Sequence, residues 1–302
     1  MLKGLQGRLA GLNNVLLDWR LITNKFDIYH PTYYSCAVKK KRGVKLVVTV
    51  HDMIHELFLS GLPNFQHDLV VKRQSINSAD HIICVSNNTK RDLQQIYNID
   101  EELISVIYHG APVESKKTIA EQYALPEKPY VFYVGKRSGY KNFSVLLQAF
   151  AMQKVGSELD LVCFGGGRFT SVELAEFKEL ELENKIKYVE GPEELLQSYY
   201  KRAKLLVYPS RYEGFGFPPL EAMAFGCPVV AANTASIPEV TDGAALLFSP
   251  DNAEELCNCI KSTLNDNRLR QSKIASGLKR AQDFSWEKTA HQTYDLYRKL
   301  LS

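Results

Sequence analysis

The segment Ser210-Arg-Tyr-Glu-Gly-Phe-Gly-Phe-Pro-Pro-Leu-Glu-Ala222 holds the densest group of chemistry-bearing residues in the chain, directly after an apolar run at 205–209. Glycines at a strand's C-terminal end and prolines at a helix start belong together, because proline is pre-organised for the first helical turn and has no amide to orphan there. The amides around Gly214, Phe215, Gly216 and Phe217 are then expected to face outward with the positive end of the helix dipole behind them, an anion site that suits a diphosphate. Glu213 in the loop and Glu221 in the first helical turn are eight residues apart. Carboxylates accept hydrogen bonds from vicinal hydroxyls, so Glu213 can serve a sugar and Glu221 a ribose diol. Read alone, Glu221 fits a helix-dipole partner and Glu213 a solvated loop acid.

A diphosphate also needs fixed cations. The loop after a run at 130–135 supplies Lys136, Arg137 and Lys141, followed by Asn142 as an expected helix N-cap. These cations are expected to neutralise a leaving group without a metal. Gly165, Gly166 and Gly167 close another strand at 159–164 and allow close approach of backbone to a ligand, or simply a turn. His51 and Asp52 end the run at 45–50, where ligands bind in open α/β sheets; His51 fits a hydrogen bond to a transferred sugar or help to an acceptor hydroxyl, while read without context it fits a packed core histidine better. The His51 to His55 spacing matches a helical zinc pair, but a strand precedes it, Asp replaces the usual Glu and no third ligand is signalled. No G-x-S-x-G elbow supports a serine hydrolase.

Short β-branched runs alternate with helical patterns, which predicts βα units and parallel sheets. Strands are expected at 26–30, 45–50, 81–86 and 104–108, with helices at 68–78 and 87–97. A proline-bearing polar stretch at 112–129 reads as a linker. Beyond it, strands at 130–135, 159–164, 186–190, 205–209, 229–231 and 245–248 alternate with helices at 143–153, 171–183, 193–202, 218–225 and 253–264. The division expected is a first domain over 1–112, a second over 113–284, and a helix over 285–302 that can return to the first. Residues 2–24 read as a helix, so the first domain is expected to lack its opening βα units.

With 302 residues the chain exceeds what one core usually organises, which favours two α/β domains and a cleft between them. Lys plus Arg number 37 against 34 Asp plus Glu, a net charge of +3 too small to indicate a nucleic-acid partner. The basic run 39–42 fits a solvated loop or peripheral contact with an anionic membrane. The six cysteines form no CxxC pair, and no apolar run approaches the ~20 residues of a membrane span. A cytoplasmic protein is expected, and any contact with the inner face of the membrane is expected to be peripheral.

EGFGFPPLEAMAFGCPVV resembles the donor-site signature of family 4 glycosyltransferases, the retaining GT-B group that includes bacterial mannosyl- and glucosyltransferases for surface polysaccharides. DIYHPTYY, VVTVHDMI, ADHIICVSNNTKRDL, YVFYVGKRSGYKN, GCPVVAANTASIPEV and DFSWEKTA extend the resemblance over most of 26–290. It implies two Rossmann-like domains of the GT-B fold. It further implies transfer of a hexose, mannose by the look of DIYHPTYY and VVTVHDMI, from a GDP- or UDP-linked donor to a glycan or lipid-linked acceptor, with no cofactor and no metal. Carried onto matching positions, Glu213 contacts the donor sugar, Glu221 the ribose, and Lys141 with either Lys136 or Arg137 the diphosphate. His51 matches a histidine near the transferred sugar and Ser86 a serine at the next strand's end. Two other readings stand beside this one: an inert GT-B partner subunit, and a GT-B epimerase or phosphorylase.

Overall fold

Lys45–Val50 (KLVVTV) is β-branched and buried from its second residue onward, the pattern of a strand covered on both faces. In the chain's computed structural model, residues 26–31, 33–34, 43–62, 65–112, 125–152 and 159–302 are described. The helix expected at 2–24, the basic run 39–42, Cys36 and residues 113–124 of the expected linker lie outside them. Among the described residues, those up to Tyr108 together with Ala290–Ser302 form one compact unit, and His109–Thr289 form the other.

In the first unit four parallel strands run β1 (Ile28–Tyr29), β2 (Lys45–Val50), β3 (His81–Cys84) and β4 (Ile104–Val106), in that spatial order. Helices α1 (Ile54–Phe58), α2 (Gln66–Ser78) and α3 (Asn87–Tyr97) connect them. Ser86 N-caps α3 by accepting the Thr89 amide at 3.0 Å, and Asn98 closes the helix at φ +52°. Lys72 of α2 is 1% exposed; it donates to the Asp52 carbonyl at 2.6 Å and pairs with Glu56 at 2.8 Å, tying α1 to the turn after β2.

The second unit holds six parallel strands: β5 (Tyr130–Val134), β6 (Asp160–Phe164), β7 (Ile186–Val189), β8 (Leu205–Tyr208), β9 (Val229–Ala232) and β10 (Leu246–Phe248). Their spatial order is β10-β9-β8-β5-β6-β7, so the winding reverses between β5 and β8. The helices are α4 (Phe143–Ala151), α5 (Ser171–Glu179), α6 (Glu193–Arg202), α7 (Phe217–Ala224), α8 (Ile237–Thr241), α9 (Ala253–Asn265) and α10 (Asn267–Ala281). Helix α10 was not expected from the sequence. Its buried residues are Gly277 and Ala281, and small residues leave no apolar stripe to read; Gly277 lets α10 close on Met223 of α7, where an added Cβ would meet Met223 Cγ at 3.1 Å.

A last helix, α11 (Trp286–Leu301), belongs to the first unit from Ala290 onward. Leu296 joins Val47, Ile83 and Ile107 in one buried cluster, with Tyr297 and Leu300 against it. Tyr294 of the same helix is 60% exposed. Among the described residues no helix is long and apolar enough to cross a membrane.

Candidate functional site

In an open parallel sheet, ligands bind beyond the strands' C-terminal ends at the point where the winding reverses. Here that point brings the loops after β5 and β8 side by side, and the Arg211 amide donates to the Tyr140 carbonyl at 2.7 Å across them. Lys141 Nζ and Glu213 Oε1 meet at 2.6 Å, with side chains 18% and 11% exposed. The ammonium also lies 5.8 Å from the ring centroid of Tyr208, whose hydroxyl hydrogen-bonds Glu213. Burial first and the Glu213 charge second push the Tyr208 hydroxyl's pKa well up, so the phenol stays protonated and donates.

The glycine loop ends in Gly216 at φ +102°, the N-cap of α7, with prolines in the first turn behind it. The buried Ser236 Oγ lies 2.9 Å from the Glu213 carbonyl and 2.8 Å from the Phe215 carbonyl, and its one proton serves either. Every described peptide bond is trans, and a trans N–H points opposite its C=O. Carbonyls 213 and 215 turned towards Ser236 therefore turn the amides of Gly214 and Gly216 the other way. Ser236 lies within GCPVVAANTASIPEV, and a serine there does not by its residue type signal this role.

Glu221 is half-buried in α7, and Tyr200 of α6 donates to its Oε2 at 2.8 Å. Burial raises the Glu221 pKa; the Tyr200 hydrogen bond opposes this and Glu193 adds to it. Tyr200 was not singled out by sequence, because an aromatic on a helix face reads as core.

Arg137 and Lys136 differ sharply. Arg137 is 9% exposed: Nε pairs with Glu173, Nη1 donates to Gly165 O at 2.9 Å, and Nη2 to Gly167 O at 2.7 Å and Arg168 O at 3.2 Å. Its guanidinium braces the glycine turn, whose three residues all have φ between +74° and +83°. Gly166 is pressed against the chain itself, where an added Cβ would stand 2.3 Å from Gly135 O, whereas Gly165 faces open space. Lys136 is exposed. Asn142 does occupy the N-cap position of α4, but with φ +54° its side chain does not cap; it donates to Pro250 O at 2.6 Å instead.

In the first unit, His51 is half-buried at the C-terminal end of β2, and its backbone hydrogen-bonds the Tyr34 hydroxyl. Beside it at the end of β1, His30 joins Tyr297 Oη through Nδ1 at 2.5 Å and Thr49 Oγ1 through Nε2 at 2.8 Å. Burial and then the neighbouring His51 lower the His30 pKa, favouring a neutral ring at physiological pH. Asp52 Oδ1 accepts the Ile54 amide at 3.0 Å and so starts α1. Ser86 acts as a helix cap, as described above.

Residues 115–280 match the family model described as Glycosyl transferases group 1, and residues 4–115 match that of Glycosyltransferase Family 4. O-antigen chain mannosyltransferase B of Escherichia coli is 31% identical over 297 residues, covering 93% of this chain and 77% of that protein. Serotype-specific mannosyltransferase WbdA of Escherichia coli is 26% identical over 324 residues; 97% of this chain is covered, but the chain spans only 38% of that relative. Among solved structures, a glycosyltransferase from Rickettsia africae ESF-5 has a TM-score of 0.76 at 20% identity, covering 96% of this chain and 81% of that one. Anabaena Alr3699/HepE in complex with UDP-glucose has a TM-score of 0.72 at 22% identity, covering 85% and 72%. At these identities the likeness shows the fold, GT-B, as the sequence resemblance implied.

Proposed function

The chain belongs to the group 1 and family 4 glycosyltransferases, and from that premise we propose that it moves a hexose from a nucleotide diphosphate sugar to a glycan or lipid-linked acceptor in polysaccharide assembly. The observation that carries this reading is the Lys141–Glu213 pair, set at the winding reversal beside the N-cap of α7. Mannose is the assigned sugar, supported by the mannosyltransferases the chain resembles. A nucleotide donor is supported by the UDP-glucose that the neighbouring HepE structure contains.

In this assignment the diphosphate lies against the amides of Gly214 and Gly216 and the ammonium groups of Lys141 and Lys136. As the glycosidic bond breaks, negative charge grows on the departing phosphate, and donors fixed before the reaction stabilise that charge without reorganising. Glu213 receives hexose hydroxyls and Glu221 the ribose diol; Arg137 acts indirectly by shaping the turn at Gly165. His51 is assigned to substrate hydroxyls on the family resemblance alone. No carboxylate is assigned as a covalent nucleophile. Retention is proposed to follow from front-face displacement, the departing phosphate taking the acceptor proton, with no metal required.

The test is incubation of the purified chain with GDP-mannose and with UDP-glucose, plus a lipid-linked glycan acceptor, monitoring nucleoside diphosphate release and product anomer. Mannosylated product of retained configuration is expected from GDP-mannose. Nucleotide binding without transfer or hydrolysis would instead favour an inert partner subunit.

A further inference from the structure

We propose that Tyr200 is a positioning residue that makes Glu221 selective for a ribose diol, by holding one carboxylate oxygen from inside the fold and leaving the other for the ligand. The assignment rests on the nucleotide-donor reading above. Its basis is a buried hydroxyl aimed at the Glu221 carboxylate. Tyr200 is 1% exposed, and its Oη donates to Glu221 Oε2 at 2.8 Å. The ring is fixed on both sides: edge-on to Phe132 of β5, with centroids 5.2 Å apart, and stacked on Phe225 at 6.0 Å and 19°. The donor is thereby locked to the sheet, and it locks the carboxylate in turn.

A carboxylate offers two oxygens and about four lone-pair directions. With Oε2 engaged, rotation of the carboxylate is blocked and Oε1 keeps its acceptor capacity in one direction. Orienting it beforehand removes an ordering cost that binding would otherwise carry. The hydrogen bond also favours the ionised form of a half-buried acid that burial and Glu193 both push towards protonation. A protonated Glu221 would present a donor to the ligand and lose its preference for two adjacent hydroxyls. Tyr200 is thus separated from the ribose by one residue and acts on it through that residue alone.

The experiment measures binding of GDP and UDP, each with its 2′-deoxy counterpart, by titration calorimetry on the wild-type chain, Tyr200→Phe and Glu221→Gln. Tyr200→Phe keeps the ring between Phe132 and Phe225 and removes one atom, and its melting temperature without ligand confirms folding. In the wild type, loss of the 2′-hydroxyl is expected to weaken binding about 10- to 100-fold, the scale of a hydrogen bond to a charged group. Tyr200→Phe is expected to shrink that ratio to about 3-fold while leaving the affinity for the deoxy nucleotide nearly unchanged. A merely structural role would weaken both nucleotides together and preserve the ratio. If Glu221→Gln collapses the ratio and Tyr200→Phe does not, the role of Tyr200 is refuted and that of Glu221 stands. If Glu221→Gln preserves it, the ribose reading of Glu221 falls; if neither nucleotide binds the wild type, the nucleotide-donor reading falls.

Discussion

Replacing Lys141 by Met removes the ammonium from Glu213 while keeping much of the side chain's length. Two unit charges 2.6 Å apart attract by about 6 kcal/mol at an effective dielectric of about 20. Desolvation of both groups offsets most of that. The measurable cost is the carboxylate left behind: about 3–5 kcal/mol where fully buried and at most about 1 kcal/mol where exposed. With the side chains 18% and 11% exposed, and Tyr208 still hydrogen-bonded to Glu213, a loss of about 2 kcal/mol is expected. For a unit of this size that corresponds to a melting temperature lower by about 4–8 °C. Transfer is expected to fall by at least about 100-fold, the scale of deleting one fixed donor at a developing anion. Lys141→Met combined with Glu213→Gln removes the stranded charge, so stability should return to within about 1 kcal/mol of wild type while transfer stays lost. Differential scanning fluorimetry and donor turnover read the two quantities separately. Wild-type turnover in Lys141→Met, or a double variant no more stable than the single, would refute the reasoning.

Glu221→Gln should oppose function and stability to each other. The folded-state pKa of Glu221 is raised by burial, so its favourable contribution is present below the unfolded pKa and is lost as pH rises through the folded value. At pH 7.5 the variant should therefore melt higher than wild type and at pH 4 lose that advantage; a lower melting temperature at pH 7.5 would contradict the sign. Gly166→Ala should cost at least about 2 kcal/mol, because φ is +75° and the new Cβ meets Gly135 O, whereas Gly165→Ala, at φ +74° in open space, should cost about 1 kcal/mol. Equal denaturation midpoints for the two alanine variants would show that the close approach at Gly166 is relieved at no cost.

Local pattern carried most of the secondary structure. Lys45–Val50, Asn87–Tyr97 and Glu193–Arg202 have the bounds their sequences suggest, and Trp286–Leu301 falls one residue short of 285–302 at each end, because β-branched runs and helical spacing are properties of neighbouring residues. Asn267–Ala281 escaped because it packs through glycine and alanine, and Ile54–Phe58 because none of its five residues is buried. The loop between Glu213 and Glu221 was legible for a similar reason: strand end, glycines, prolines and two acids all lie within a dozen residues.

Which cation faces which acid could not be read that way. Three cations share the loop after β5, yet Lys141 meets Glu213 while Arg137 turns to the carbonyls of Gly165 and Gly167. That choice follows from β8 pairing with β5 and not with β7, a non-local decision made by the packing of the whole sheet. Tyr200 and Ser236 reach the site from 21 and 23 residues away through buried hydroxyls, and a tyrosine or serine in a sequence does not announce its partner. The sequence by itself determined the alternation of elements and the chemical types at the strand ends; the tertiary structure decided their pairing, because strand order and burial depend on contacts between distant segments.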